Sequence, residues 1–79
     1  MNLNRTYIVA RSETSYRMFI KRNMLNPFAF VFLSGVQQVH ETDSGTVFIF
    51  IDGSTKRKDY RAIADTIHLR TDLVRTKEF

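Results

Sequence analysis

Positively charged and hydroxyl-bearing side chains follow two apolar segments of this chain and could bind phosphate. Arg11 and Ser12 follow the first segment, residues 6–10. A larger group follows the apolar run that ends at Ile51, and it comprises Ser54, Thr55, Lys56, Arg57, Lys58 and Arg61. Cationic side chains contact phosphate oxygens, and the N–H groups of a loop that enters a helix add to such a site. The pattern predicts a site for phosphate or nucleic acid, although polar strand-to-helix loops are also typical of a solvated surface.

Motifs for nucleotide hydrolysis and for nucleophilic catalysis are missing. Residues 53–56, Gly-Ser-Thr-Lys, have the residue types of a P-loop without the Gly-x-x-x-x-Gly-Lys-Ser/Thr spacing. The chain has no cysteine, which excludes disulfides, thiolate metal ligands and cysteine nucleophiles. Asp52 and Asp59 could form an acid–base pair, but their spacing does not fix the distance between them. We therefore expect a non-enzymatic protein with no catalytic residue, no metal and no cofactor.

The other polar patterns have ordinary structural explanations. Residues 40–43, His-Glu-Thr-Asp, match no standard set of metal ligands, so we interpret them as a turn. His68 and Asp72 are four residues apart and could pair on a helix. Tyr16 and Tyr60 recur with the apolar residues of two predicted helices. Their position favours packing in the core over stacking on nucleic-acid bases.

Apolar runs predict the strands that must position these residues. Residues 28–33, Phe-Ala-Phe-Val-Phe-Leu, and residues 47–51, Val-Phe-Ile-Phe-Ile, show no polar alternation, which is typical of strands covered on both faces. We place the strands at residues 6–10, 28–33 and 46–51. Covered strands of this kind favour an α/β layer fold.

Two amphipathic helices are predicted between and after these strands. The first spans residues 13–25, with Ser12 as its N-cap and Pro27 as its stop. The second spans residues 57–70, and residues 71–74 could extend it. We expect residues 75–79 to fray.

Residues 34–45 leave two topologies open. A short helical turn at residues 36–41 would complete a crossover and make all three strands parallel. Alternatively, these residues continue the second strand past a bulge at Gly35, and residues 43–45, Asp-Ser-Gly, close a hairpin. We favour a single domain over residues 1–79 with the order β-α-β-x-β-α and a parallel three-stranded sheet. The alternative is an α+β fold with a hairpin between the second and third strands.

The succession of these elements resembles that of small proteins encoded by tailed bacteriophages. The resemblance rests on three segments: residues 30–35, which end in Ser-Gly, residues 47–53, which end in Asp-Gly, and residues 57–60, Arg-Lys-Asp-Tyr. Those proteins have a minimal Rossmann-like layout and mostly no assigned activity. The resemblance covers residues 6–70 and implies a phage accessory protein. It assigns no catalytic residue.

The net charge of +4 over 79 residues bears on the partner. The excess lies in residues 1–25 and residues 52–61, and it favours a polyanion such as nucleic acid or a nucleotide-like phosphate. A second hypothesis is a protein-interaction module, as a homodimer or bound to a host protein, because the phenylalanines could exceed what two helices bury. No segment has the length of a membrane span and no signal peptide is evident, so we expect a cytoplasmic protein with no membrane partner.

Overall fold

The two long apolar runs form strands of a parallel sheet, one at its edge and one inside it, and helices occupy the connections. The computed structural model describes residues 6–77. The strands are β1 (Thr6–Val9), β2 (Phe30–Phe32), β3 (Val47–Phe50) and β4 (Val74–Lys77). The helices are α1 (Glu13–Arg22), α2 (Val36–His40) and α3 (Tyr60–Leu69), with a 3₁₀ turn at Ser54–Lys56.

The four strands lie in the order β2-β1-β3-β4, and every neighbouring pair is parallel. In the register, Tyr7 of β1 lies opposite Val31 on one side and Phe48 on the other. The predicted parallel α/β fold is therefore confirmed. The hairpin alternative is wrong, because β1 separates β2 from β3 and the segment between them contains α2.

Two apolar clusters cover the two faces of the sheet. On one face, Val9, Leu33 and Phe48 are fully buried together with Val39 of α2 and Ile63 of α3. On the other face, a smaller cluster comprises Ile8, Ala10 and Ile51, with Tyr16 and Phe19 of α1 packed against it. Because successive residues of a strand point to opposite faces, strands placed between two helical layers need apolar residues at every position.

Two predictions about the end of the chain are wrong, because Val74–Lys77 form the strand β4. Residues 71–74 do not extend the helix, and residues 75–77 do not fray. Helix α3 ends at Leu69, since Arg70 is extended, with φ −93° and ψ 103°. The Val74 N–H then donates to the Thr46 carbonyl at 3.0 Å, and β4 continues alongside β3. The sheet thus has four strands rather than three. The part of the fraying prediction that concerns residues 78–79 lies outside the described residues.

Three element boundaries also differ from the prediction. Helix α1 ends at Arg22, before Pro27, because Met24 adopts a left-handed conformation with φ 54°. Helix α3 starts at Tyr60 rather than at residue 57, because Arg57 is extended. Strand β2 starts at Phe30, since the chain turns at residues 26–29 and Phe28 is 83% exposed.

The face of the sheet that carries α1 is covered unevenly. Helix α1 packs over β1 and β2 through Tyr16 and Phe19. Val47 of β3 and its register partner Val74 of β4 retain exposed surface, and Val74 is 46% exposed. Among residues 6–77, each helix is too short or too polar to cross a bilayer.

Candidate phosphate-binding site

The loops that follow β1 and β3 meet at the carboxyl edge of the sheet. From the central strand β1, the chain passes to β2 on one side, and β3 lies on the other side. In open parallel sheets, ligands bind at such a switch point, beyond the carboxyl ends of the two central strands. The candidate residues on these two loops are therefore at the edge where a ligand is expected.

Arg11 and Gly53 bring the two loops into contact. Gly53 has φ 90°, and a methyl group added at its Cα would lie 3.5 Å from the Cβ of Arg11 and 3.9 Å from its Cδ. The aliphatic part of the Arg11 side chain therefore lies against the loop that leads to Lys56. Arg11 itself is exposed, which leaves its guanidinium in solvent at this edge.

The hydroxyl-bearing candidates differ in their surroundings. Ser12 is the N-cap of α1, and its Oγ accepts a hydrogen bond from the Ser15 N–H at 3.2 Å. Ser54 is 3% exposed and starts the 3₁₀ turn, whereas Thr55 is exposed. Ser12 thus has the capping role typical of its residue type, and Thr55 offers a free hydroxyl at the edge.

Arg57 is the candidate whose role the structure changes most. Its guanidinium donates to the carbonyl oxygens of Ala10 at 3.3 Å, Leu33 at 2.6 Å and Ser34 at 3.0 Å. Its Nε and Nη2 donate to the two carboxylate oxygens of Asp59 at 2.9 and 3.0 Å. These hydrogen bonds engage all five N–H donors of the guanidinium. The side chain is only 7% exposed, so Arg57 is a structural residue with no donor left for a ligand.

This arrangement explains why the end of β2 needs a buried cation. The carbonyls of Ala10 and Leu33 lie beyond the last residues of β1 and β2, and no backbone N–H among the described residues donates to them. Buried carbonyls without partners are costly, and one planar guanidinium satisfies both. The Phe32 ring lies 5.5 Å from the Arg57 Cζ and adds a cation–π contact.

The remaining cations form what we call the basic rim: Arg11, Lys56, Lys58 and Arg61. All four are exposed. Lys58 lies between Arg57 and Asp59, both of which are fixed at the carboxyl edge. Arg61 is in the first turn of α3, and Lys56 ends the 3₁₀ turn. The structure therefore brings these four candidates to one end of the molecule, without any of them engaged in a salt bridge to a described residue.

Arg70 and Asp72 form a similar network at the other end of α3, which was not predicted from the sequence; we call this network and that of Arg57 with Asp59 the two arginine clasps. Arg70 donates to the carbonyls of Val39 and Thr42, each at 3.0 Å, and to both carboxylate oxygens of Asp72 at 3.2 and 2.7 Å. Asp72 also accepts from the Ser44 hydroxyl at 2.8 Å. The Arg70 and Ser44 hydrogen bonds lower the pKa of Asp72 to about 2. The predicted pairing of Asp72 with His68 is wrong, because α3 ends before Asp72.

The two clasps share one sequence pattern, Arg-x-Asp, at residues 57–59 and residues 70–72. In each, the aspartate holds the guanidinium in a bidentate pair while the guanidinium reaches carbonyls of distant elements. This repeat is the signal that could have identified both structural arginines in the sequence.

The tyrosines pack against phenylalanines of the core. Tyr16 lies 5.7 Å from the Phe32 ring centre and donates to the Phe30 carbonyl at 3.2 Å. Burial, with a smaller contribution from Glu13, raises the pKa of Tyr16. Tyr60 meets the Phe50 ring edge-on at 5.9 Å. The packing interpretation of Tyr16 and Tyr60 is thus consistent with these contacts.

A groove beside α1 adjoins the basic rim and was not anticipated. Its volume is about 440 Å³. Helix α1 forms one wall and the end of β3 forms the other; the lining residues are Ser15, Met18, Phe19, Arg22, Asn23, Ile51 and Asp52. Asp52 therefore faces this groove, whereas Asp59 is held by Arg57. Across residues 6–77, no three His, Asp or Glu side chains converge as metal ligands.

Comparison of the chain with protein-family models, with curated proteins and with solved structures found no match. The resemblance to small phage proteins therefore stays a prediction.

Proposed function

We propose that this protein is a small non-enzymatic binding module whose basic rim contacts the phosphates of nucleic acid or of a nucleotide-like ligand. The contact between Arg11 and Gly53 carries the proposal, because it joins the loop after β1 to the loop that leads to Lys56. Cations from two separate loops thereby lie at the edge of the sheet where parallel α/β proteins bind ligands.

The exposure of the rim cations supports binding to a ligand rather than a purely structural role for the rim. Arg57 and Arg70 show how this chain uses arginine structurally: each is shielded and donates to carbonyls and an aspartate. Lys56, Lys58 and Arg61 are exposed instead. Cations near the start of α3 oppose the helix dipole unless an anion is bound. An anionic partner would remove that unfavourable interaction.

Four phosphate contacts predict a steep dependence of affinity on salt. For duplex DNA, four contacts give a slope of log K against log salt of about −3.5, or roughly a 100-fold loss in affinity between about 50 and 200 mM salt. Fluorescence anisotropy with a short labelled duplex and a matching single strand measures this slope. An affinity that does not change over this range would contradict the proposal.

A matched pair of variants locates the contacts. Lys56→Gln removes one rim charge and is expected to lower the magnitude of the slope by about one. Lys21→Gln removes an exposed charge from the last turn of α1, at the opposite end of the sheet, and is expected to leave the slope unchanged. Equal effects of the two variants would place the contacts elsewhere.

Exposed apolar side chains favour a second candidate function, binding to another protein. Met24 is 90% exposed, Phe28 83% and Leu69 79%. Phe48 and Phe50 are buried, so the surplus of apolar surface comes from Phe28 and these aliphatic residues rather than from the inner strands. Sedimentation analysis tests this candidate: a monomer at all concentrations, with no binding of an apolar surface dye, would count against it.

A further inference from the structure

We propose that the groove beside α1 holds an unpaired nucleobase while the basic rim holds the phosphate attached to it. The inference rests on the proposed phosphate-binding function and specifies its ligand as a nucleotide unit with a free base. Two sources share this chemistry, a single-stranded nucleic acid and a free mononucleotide.

The groove has the composition of a site for a flat, partly polar ring. Met18, Phe19 and Ile51 contribute apolar surface. Ser15, Arg22, Asn23 and Asp52 contribute groups that donate or accept hydrogen bonds. Sites for small ligands combine an apolar lining with a few convergent polar groups in this manner. A base removed from its helix is recognised by contact with its ring faces and by hydrogen bonds to its edge.

The groove and the rim are continuous through two neighbouring residues. Asp52 lines the groove, and Gly53, which follows it, lies against the Arg11 side chain. On the other wall, Ser15 lines the groove one turn after the N-cap Ser12. A ligand that reaches from the groove across the Asp52–Gly53 corner therefore meets Arg11 next.

The charged residues of the rim differ from those of the groove. The rim is formed by four exposed cations, whereas the groove is lined by one acidic residue, Asp52, and one basic residue, Arg22. A carboxylate disfavours a phosphate but accepts hydrogen bonds from the amino and imino groups of a base edge. This difference in charge assigns the phosphate to the rim and the base to the groove.

The experiment compares strands with and without bases. Anisotropy at one salt concentration measures binding of the wild-type protein to a single strand and to an abasic strand with the same number of phosphates. We expect the strand with bases to bind about tenfold more tightly, as for other sites that take single bases. Equal affinity for the two strands would overturn the inference but leave the proposed function intact. Absence of binding to both strands would overturn the proposed function.

A matched pair of aspartate variants tests the groove itself. Asp52→Ala and Asp65→Ala remove the same charge, and Asp65 is exposed on α3, away from the groove. Both variants should bind the abasic strand slightly more tightly, since the protein becomes more positive. Only Asp52→Ala should lose most of the tenfold preference for bases. An unchanged preference in Asp52→Ala would contradict the assignment.

An NMR titration with adenosine and thymidine monophosphates separates the two sources. If the Ser15, Met18 and Asn23 amide signals shift when these nucleotides are added, a free nucleotide is sufficient to occupy the groove. No shift, together with the base preference for strands, would identify the single strand as the ligand. No shift and no base preference would overturn the inference.

Discussion

Removal of the Arg57 guanidinium should destabilise the fold strongly, although the residue is one of eight candidates for ligand binding. In Arg57→Ala, the Ala10 and Leu33 carbonyls lose their charged donor, and the Asp59 carboxylate loses its partner. A hydrogen bond from a charged donor to a carbonyl contributes about 1.5–3 kcal/mol. The two part-buried carbonyls therefore account for about 3–6 kcal/mol, whereas Asp59 contributes less because it reaches solvent.

The size of this effect is large for a chain of 79 residues. A loss of about 3 kcal/mol lowers the melting temperature of such a domain by roughly 12–24 °C. Urea unfolding followed by circular dichroism measures the free energy directly. Arg57→Lys should recover only part of the loss, because an ammonium group cannot reproduce the planar set of five donors.

Lys58→Ala is the matched control for Arg57→Ala. Lys58 is the next residue, it carries the same charge, and it is exposed. Its replacement should change the free energy of unfolding by less than about 0.5 kcal/mol. If Arg57→Ala were equally mild and instead weakened binding to polyanions, the structural role assigned to Arg57 would be refuted.

Three further predictions concern other parts of the fold. Asp72 has a lowered pKa of about 2 in the folded protein, so its stabilising contribution is complete above the unfolded value of about 3.9 and is lost as the pH falls through 2. Acid unfolding of Asp72→Asn should accordingly depend less on pH in this window, and an unchanged profile would contradict the clasp. Gly53→Ala should cost about 1 kcal/mol in urea unfolding, because φ is 90°, whereas Gly35→Ala should cost no stability, because Gly35 is extended and a methyl group there meets no atom within 4 Å. Phe48→Ala should cost about 3–5 kcal/mol and Phe28→Ala less than about 0.5 kcal/mol; similar losses would mean that Phe28 is covered in solution.

The first three strands could be predicted from the sequence because their signal is local. Three runs of β-branched and aromatic residues specify β1, β2 and β3, and their lack of polar alternation specifies a sheet covered on both faces. Strand β4 carries no such signal, since Val74 is followed by Arg75, Thr76 and Lys77. Its pairing with β3 supplies the hydrogen bonds that the local sequence does not indicate.

The candidate site was predictable in its location but not in the roles of its members. Because the loops that follow parallel strands all lie at the carboxyl edge of the sheet, Arg11 and Lys56 are expected at the same end. The Arg-x-Asp spacing sets Arg57 apart from its neighbours as a residue that can pair with a carboxylate. Its burial depends on contacts with Ala10 and Leu33, which are 47 and 24 positions away, so the local pattern alone does not specify it.

The strand order has a consequence for the time course of folding. Each ladder joins residues separated by about 25 to 40 positions, so no pair of strands can form as a local hairpin. Bringing such distant segments together costs loop entropy before any pairing is gained, which slows folding relative to a helical bundle of equal length. On the ribosome, β1 acquires its second neighbour only after Phe50 has emerged. Until then, one side of β1 stays open to chaperones and to other nascent chains.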